Sequence, residues 1–240
     1  MGLFDIFKNK QKLIDRKNNH QDLPNKDELK THLDSIQKEI YQFLKPMGFK
    51  KKGRTFNKQT EDGIYQVINI QSGRYEFGDK NIISGLRENY YGKFTINLGV
   101  LVKEVYEVEE YNKPKEFYQE YDCQIRTRLS QLTRNQDIWW QISENKEKNI
   151  KEIIEKLTSG AFEWFEKLSD RKNICKNIEL VENIHTRRAK LDIAIIKSKL
   201  DKKIGEKLFQ EYYDNIKNNQ GHKEYVISLS EKLGLKINDY

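Results

Sequence analysis

The ten residues Lys93–Val102 constrain this chain more than any others. Phe94, Ile96, Leu98, Val100 and Val102 fall on one side of an extended backbone, and Thr95, Asn97 and Gly99 fall on the other. Alternation of this kind marks a β-strand with one face in a core. A strand is not stable alone. The rest of the chain must supply partner strands and a layer that covers the apolar face.

The covering layer begins upstream. Leu29, Leu33, Ile36, Ile40, Phe43 and Leu44 recur at spacings of three and four, which predicts an amphipathic helix from Lys26, ended by Pro46 and Gly48. That helix runs into Gly48-Phe49-Lys50-Lys51-Lys52-Gly53-Arg54-Thr55-Phe56-Asn57-Lys58, the stretch around which the sheet is organised. Phe49–Lys58 reads as a first strand, broken or bulged at Gly53. Glu61-Asp62-Gly63 is a turn signal, and Ile64–Gln71 is a second strand, so the pair predicts a β-hairpin.

Residues 72–92, with Gly73, Gly78, Gly85 and Gly92, read as a long loop. Glu104–Glu110 reads as an acidic edge continuing the strand before it, Tyr121–Leu129 as a further strand, and Asp137–Trp140 as a short extended segment. A long helix is expected from near Ser143, with a core stripe from Ile150 to Leu168. After Asp170 the pattern is helical: Ile174, Ile178, Val181 and Ile184, then Leu191–Ile196, then Ile204, Leu208, Tyr212 and Ile216, then Tyr225, Val226, Leu229 and Leu233. Asn218–Gly221 is the turn between the last two helices, which predicts stacked antiparallel helical pairs.

The expected fold class is therefore α+β. A mostly antiparallel sheet of about four to five strands packs on two long helices, and an all-α extension follows. Residues 1–25 read as an N-terminal segment and linker, 26–170 as the α+β domain and 171–240 as the helical extension. The apolar patch Met1–Lys8 is expected to pack on the body of the protein or on a partner. Ile6 stands where the myristoylation pattern needs Ser or Thr.

Charge narrows the function classes. The net charge is +7, but residues 26–170 hold 24 Lys+Arg against 24 Asp+Glu, while residues 171–240 hold 15 against 10. A neutral domain with interleaved Lys and Glu reads as a solvated surface, and only the extension carries a basic excess. No apolar run approaches the ~20 residues of a membrane span. The start of the chain does not read as a secretory signal. Cys123 and Cys175 are far apart and have no CxxC partner, so reduced thiols and a cytoplasmic location are expected. Heavy use of Lys, Asn, Ile and Tyr with little Ala points to an AT-rich bacterial genome.

Several short motifs occur in a fixed order: Gly48–Phe56, Val67-Ile68-Asn69-Ile70-Gln71-Ser72, Phe94–Val100, Asp122-Cys123 with Arg126 and Arg128, and Asp137 with Trp139-Trp140. In this order the chain resembles the bacterial family called domain of unknown function 4304, over about residues 27–170. The resemblance implies the fold. It associates the chain with stand-alone accessory proteins, some similar in build to the immunity proteins of toxin systems. The chain departs from it at Gln124, where His is expected.

The candidate site follows from strand alternation. The sheet face turned away from the helices would carry Tyr65, Asn69, Gln71 and Asn97, with Arg126 and Arg128 beside them and Arg54 in the basic strand entry. Amides and guanidinium groups together grip a carboxylate, a phosphate or a peptide backbone. The competing reading is that the amides satisfy their neighbours and each Arg pairs with Asp122 or a Glu. Trp139-Trp140 reads either as a binding platform or as core beside a helix.

No catalytic residue is singled out. Cys123 would need a nearby His, and His20, His32, His185 and His222 all fall outside the predicted strands with no metal spacing. No phosphate loop, metal or cofactor is expected. The first functional reading is a non-enzymatic protein-binding module of an immunity or accessory type. The second is a nucleic-acid-associated protein acting through residues 171–240. The third is an enzyme whose acid–base pair comes from distant carboxylates.

Overall fold

The computed structural model describes residues 25–73, 75, 88–134, 136–177 and 189–238. The N-terminal apolar patch, most of the expected 72–92 loop, Ile178, Val181, Ile184, His20 and His185 lie outside the described residues.

Helix α1 (Lys26–Leu44) opens on a capping box. The Asn25 side chain accepts from the N–H groups of Asp27 and Glu28, each at 3.0 Å, and Glu28 accepts from the Asn25 N–H. These bonds satisfy donors that a helix start leaves orphaned. A 3₁₀ turn, Lys45–Met47, and Gly48 at φ +89° end the helix and turn the chain into the sheet.

Among the described residues the sheet has six strands: β1 (Lys50–Lys52), β2 (Thr55–Glu61), β3 (Ile64–Ser72), β4 (Lys93–Val102), β5 (Ile125–Arg128) and β6 (Trp140–Gln141). They run antiparallel in the order β1-β2-β3-β4-β5, and β6 pairs with the start of β4. The strand expected over Phe49–Lys58 is thus two strands, with Lys50 opposite Asn57 and Lys52 opposite Thr55. Gly53, at φ +59°, adopts the left-handed conformation that lets the chain reverse in two residues.

Glu104–Glu110 is not a strand. Helix α2 (Lys103–Glu107) starts directly after β4, and the buried Glu104 carboxylate takes two bonds from Arg171, at 2.7 and 2.9 Å. This distant partner outweighs the local extended preference. The Tyr121–Leu129 strand shrinks to β5, because Glu120–Asp122 forms a 3₁₀ turn tied to Gln119. A short helix α3 (Leu129–Arg134) follows β5.

The helix expected from Ser143 begins at Lys146. It runs as α4 (Lys146–Lys156), a π-helical turn (Leu157–Ala161) and α5 (Phe162–Glu166). Helices α1, α4 and α5 bury Leu33, Ile36, Ile40, Ile153 and Phe165 against Phe56, Ile68, Phe94, Ile96, Leu98 and Val100 of the sheet.

The C-terminal part forms α6 (Arg171–Asn177), α7 (Ala189–Leu200), α8 (Lys202–Asp214) and α9 (Gln220–Lys232). Leu191, Ile195, Phe209 and Val226 belong to the same apolar cluster as the sheet. Arg171 pins the junction: besides Glu104 it bonds to the Asp62 carbonyl at 2.8 Å, and its guanidinium lies 3.3 Å from Glu61. The Glu104 hydrogen bonds raise its already high pKa.

Candidate binding cleft

The helix-free face of the sheet carries the residues that alternation places there. Side by side across the strands lie Thr55, Asn69, Asn97 and Arg128, one to each of β2, β3, β4 and β5. The expectation of one continuous polar face fails. The segment after α2 folds back over half of it, and Val67, Leu101, Tyr106, Tyr118 and Cys123 make a second small core there.

The cover is fixed by specific bonds. Asn57 Nδ2 donates to the Tyr118 carbonyl and the Tyr118 N–H donates to Asn57 Oδ1, both at 2.8 Å. A side-chain amide used this way imitates a backbone partner and satisfies a buried peptide group. Thr55 Oγ1 donates to Gln119 Oε1 at 2.6 Å. Tyr65, expected as a site residue, has its ring 4.9 Å from that of Tyr118 and serves the cover.

Gly99 allows the close approach. A methyl group there would lie 2.6 Å from Cys123 Sγ. Burial, first, and the charges of Glu120 and Asp122 push the Cys123 thiol well up from its usual range. A thiol so held is a poor nucleophile. Of the described histidines, His32 is on α1 and His222 is on α9 between Tyr212 and Tyr225. Lys115 closes the cover from outside, 2.9 Å from Asp122, and its pKa is raised by hydrogen bonds to Tyr106 and Asp122.

The other half of the face opens into a cleft of about 800 Å³. Of the seven expected site residues, Gln71, Asn97, Arg126 and Arg128 line it, whereas Arg54, Tyr65 and Asn69 do not. Asn69 donates to Thr55 Oγ1 at 2.9 Å, and Arg54 donates to Ser72 Oγ at 2.8 Å. Inside the cleft, Asn97 Nδ2 donates to Gln71 Oε1 at 2.8 Å and Arg126 Nε to Glu120 Oε1 at 2.5 Å. Arg128 pairs with Asp137 and lies over the ring of Trp139, which stacks on Tyr90 at 4.1 Å. Trp140 is buried against Phe94, whereas Trp139 is half-buried beside Arg128 and does not line the cleft.

Both arginines therefore hold a carboxylate partner and still face the cleft. The Arg126 side chain is 49% exposed. A guanidinium has five N–H donors, so one ion pair does not exhaust it. The far wall holds Glu109, which accepts from Tyr225 of α9 at 2.7 Å, and Asp192 of α7. Sequence reasoning missed this wall, because nothing in the local pattern links residues so far along the chain to the sheet. Among the described residues, no group of three or more His, Cys, Asp and Glu converges to hold a metal ion. Nor is any helix there long and apolar enough to cross a membrane.

An antiparallel sheet backed by helices, half covered and half open, defines an α+β domain with a polar cleft at the sheet edge. Residues 40–167 match the family described as Domain of unknown function (DUF4304), and the chain belongs to that family. The match contains all six strands and every cleft residue except Asp192. No curated protein and no solved structure matches the chain.

Proposed function

We propose that this chain is a protein-binding module of an accessory or immunity type, and that the open half of the sheet receives a segment of its partner. The cleft supports this reading. It presents amides and half-exposed guanidinium groups on a floor already fixed by cross-strand hydrogen bonds. Groups held in place before binding lose little entropy on association.

The test is affinity capture from the source cells with the immobilised full chain. The expected result is one stoichiometric protein partner, bound at least about tenfold more weakly by Gln71→Ala and Arg126→Ala, with both variants keeping the wild-type melting temperature. A partner held equally well by both variants would sink the cleft reading.

A second reading rests on the turn between α7 and α8, where Lys199, Lys202 and Lys203 are exposed together. That cluster fits a phosphate backbone. It predicts nucleic-acid binding that weakens steeply with salt, and no binding at low salt would remove it.

A further inference from the structure

The backbone phase of the sheet can be fixed from three hydrogen bonds. Lys103 N–H donates to the Gly63 carbonyl at 2.8 Å, so odd-numbered residues of β4 turn their backbone groups toward β3 and even-numbered ones toward β5. Val102 N–H, bonded to Gln124 Oε1 at 2.8 Å, agrees. Ile125 and Thr127, opposite Val100 and Leu98, therefore bond to β4, and Arg126 and Arg128 turn their N–H and C=O groups outward. Arg128 N–H is met by Gln131 Oε1 at 3.3 Å. Among the described residues the Arg126 backbone has no partner and β5 ends the sheet on that side.

The cleft wraps this edge. Gln71 and Asn97 line it from the helix-free face, while Thr127 and Asp192 line it from the core side. Thr127 is 7% exposed, and its hydroxyl has no hydrogen-bond partner. A buried, unpaired hydroxyl is unfavourable, and its place beside an unpaired backbone marks where a ligand would complete the structure.

We infer that β5 is a docking edge, onto which an extended segment of a partner protein adds as a further strand. The inference rests on the protein-binding reading of the cleft. Cross-strand pairing sets the chemistry of that segment. Side chains opposite Arg126 and Arg128 sit two residues apart on one face, where a carboxylate reaches the guanidinium donors that Glu120 and Asp137 leave free. The side chain between them faces Thr127, where Ser, Thr or Asn satisfies the hydroxyl. A second copy of β5 would set arginine against arginine or threonine, so the segment belongs to a different protein.

The experiment selects binders to the full chain from a phage-displayed library of random linear dodecapeptides. The peptides are then measured against wild type and Arg126→Pro. Proline removes the outward N–H and leaves the β4 ladder untouched, a position where edge strands accept it. The expected peptides alternate Asp or Glu around Ser, Thr or Asn, and Arg126→Pro weakens them at least about tenfold. Hydrogen exchange of the Arg126 amide in the wild type gives a second reading that needs no variant. It is expected to slow by at least about tenfold when peptide binds.

Peptides that bind Arg126→Pro equally well and leave that amide unprotected would overturn strand addition, as would a selection that yields none. Neither outcome touches the cleft reading, which stands or falls on capture of the protein partner by Gln71→Ala.

Discussion

The two halves of the helix-free sheet face are built from the same strands by the same alternation, yet they do opposite work. On the covered half, Asn57 and Thr55 spend their polar groups on the chain's own backbone and on Gln119, and Val67, Leu101, Tyr106, Tyr118 and Cys123 exclude water. On the open half, Asn97 and Gln71 bond to each other, and Arg126 and Arg128 keep donors toward the cleft. A polar residue on a sheet face is therefore no sign of function by itself. What separates the halves is whether another part of the chain has already taken the hydrogen bonds.

Lifting the cover is expected to have the largest effect. Gly99→Val would drive a branched side chain into Cys123 and is expected to destabilise the domain by about 3 kcal/mol, read from urea denaturation. Cys123→Ala in the same chain should recover part of the loss, since contacting residues couple. An additive double variant would show that the clash lies elsewhere.

Asn57→Leu tests the clamp itself. It leaves the Tyr118 N–H and carbonyl unpaired in a buried place and should cost about 2 kcal/mol. The same measurement on Gln71→Ala, in the open half, should change stability by less than about 0.5 kcal/mol. Equal losses from the two would erase the distinction between the halves.

The smallest effect is chemical. Burial raises the Cys123 pKa, and burial also raises that of the half-buried Cys175, against the lowering influence of Lys197. Alkylation should reach Cys175 first and Cys123 only as fast as the cover opens. A thiol with a raised folded pKa binds its proton more tightly in the folded chain. Its contribution to stability is whole below the unfolded pKa of about 8.5 and declines as pH rises toward the folded value. Alkaline urea titrations of wild type and Cys123→Ala should separate above that pH.

Much of the sheet was legible because its signal is local. Lys93–Val102 emerged as the strand expected, and Ile64–Gln71 as the strand next to it, one residue longer. The start of α1 at Lys26 was legible from its apolar spacing, although the capping box of Asn25 and Glu28 that fixes it went unread. The pairing of Arg126 was anticipated in kind, but its partner is Glu120, held on a 3₁₀ turn, with Lys115 occupying Asp122. Glu104–Glu110 was misread because the bonds that hold it come from Arg171, far along the chain.

The α+β class, the hairpin that ends in β3 and the residues that share a sheet face are written in the amino-acid order. Each of these follows from a period of two or of three and four that neighbouring residues carry. Which half of the face is covered, which carboxylates hold the arginines, and the placing of Glu109 and Asp192 on the cleft wall emerge only in the folded chain. Those outcomes depend on contacts between segments as far as 116 residues apart. No local pattern encodes such a contact, because it forms only when the whole chain has closed around one core.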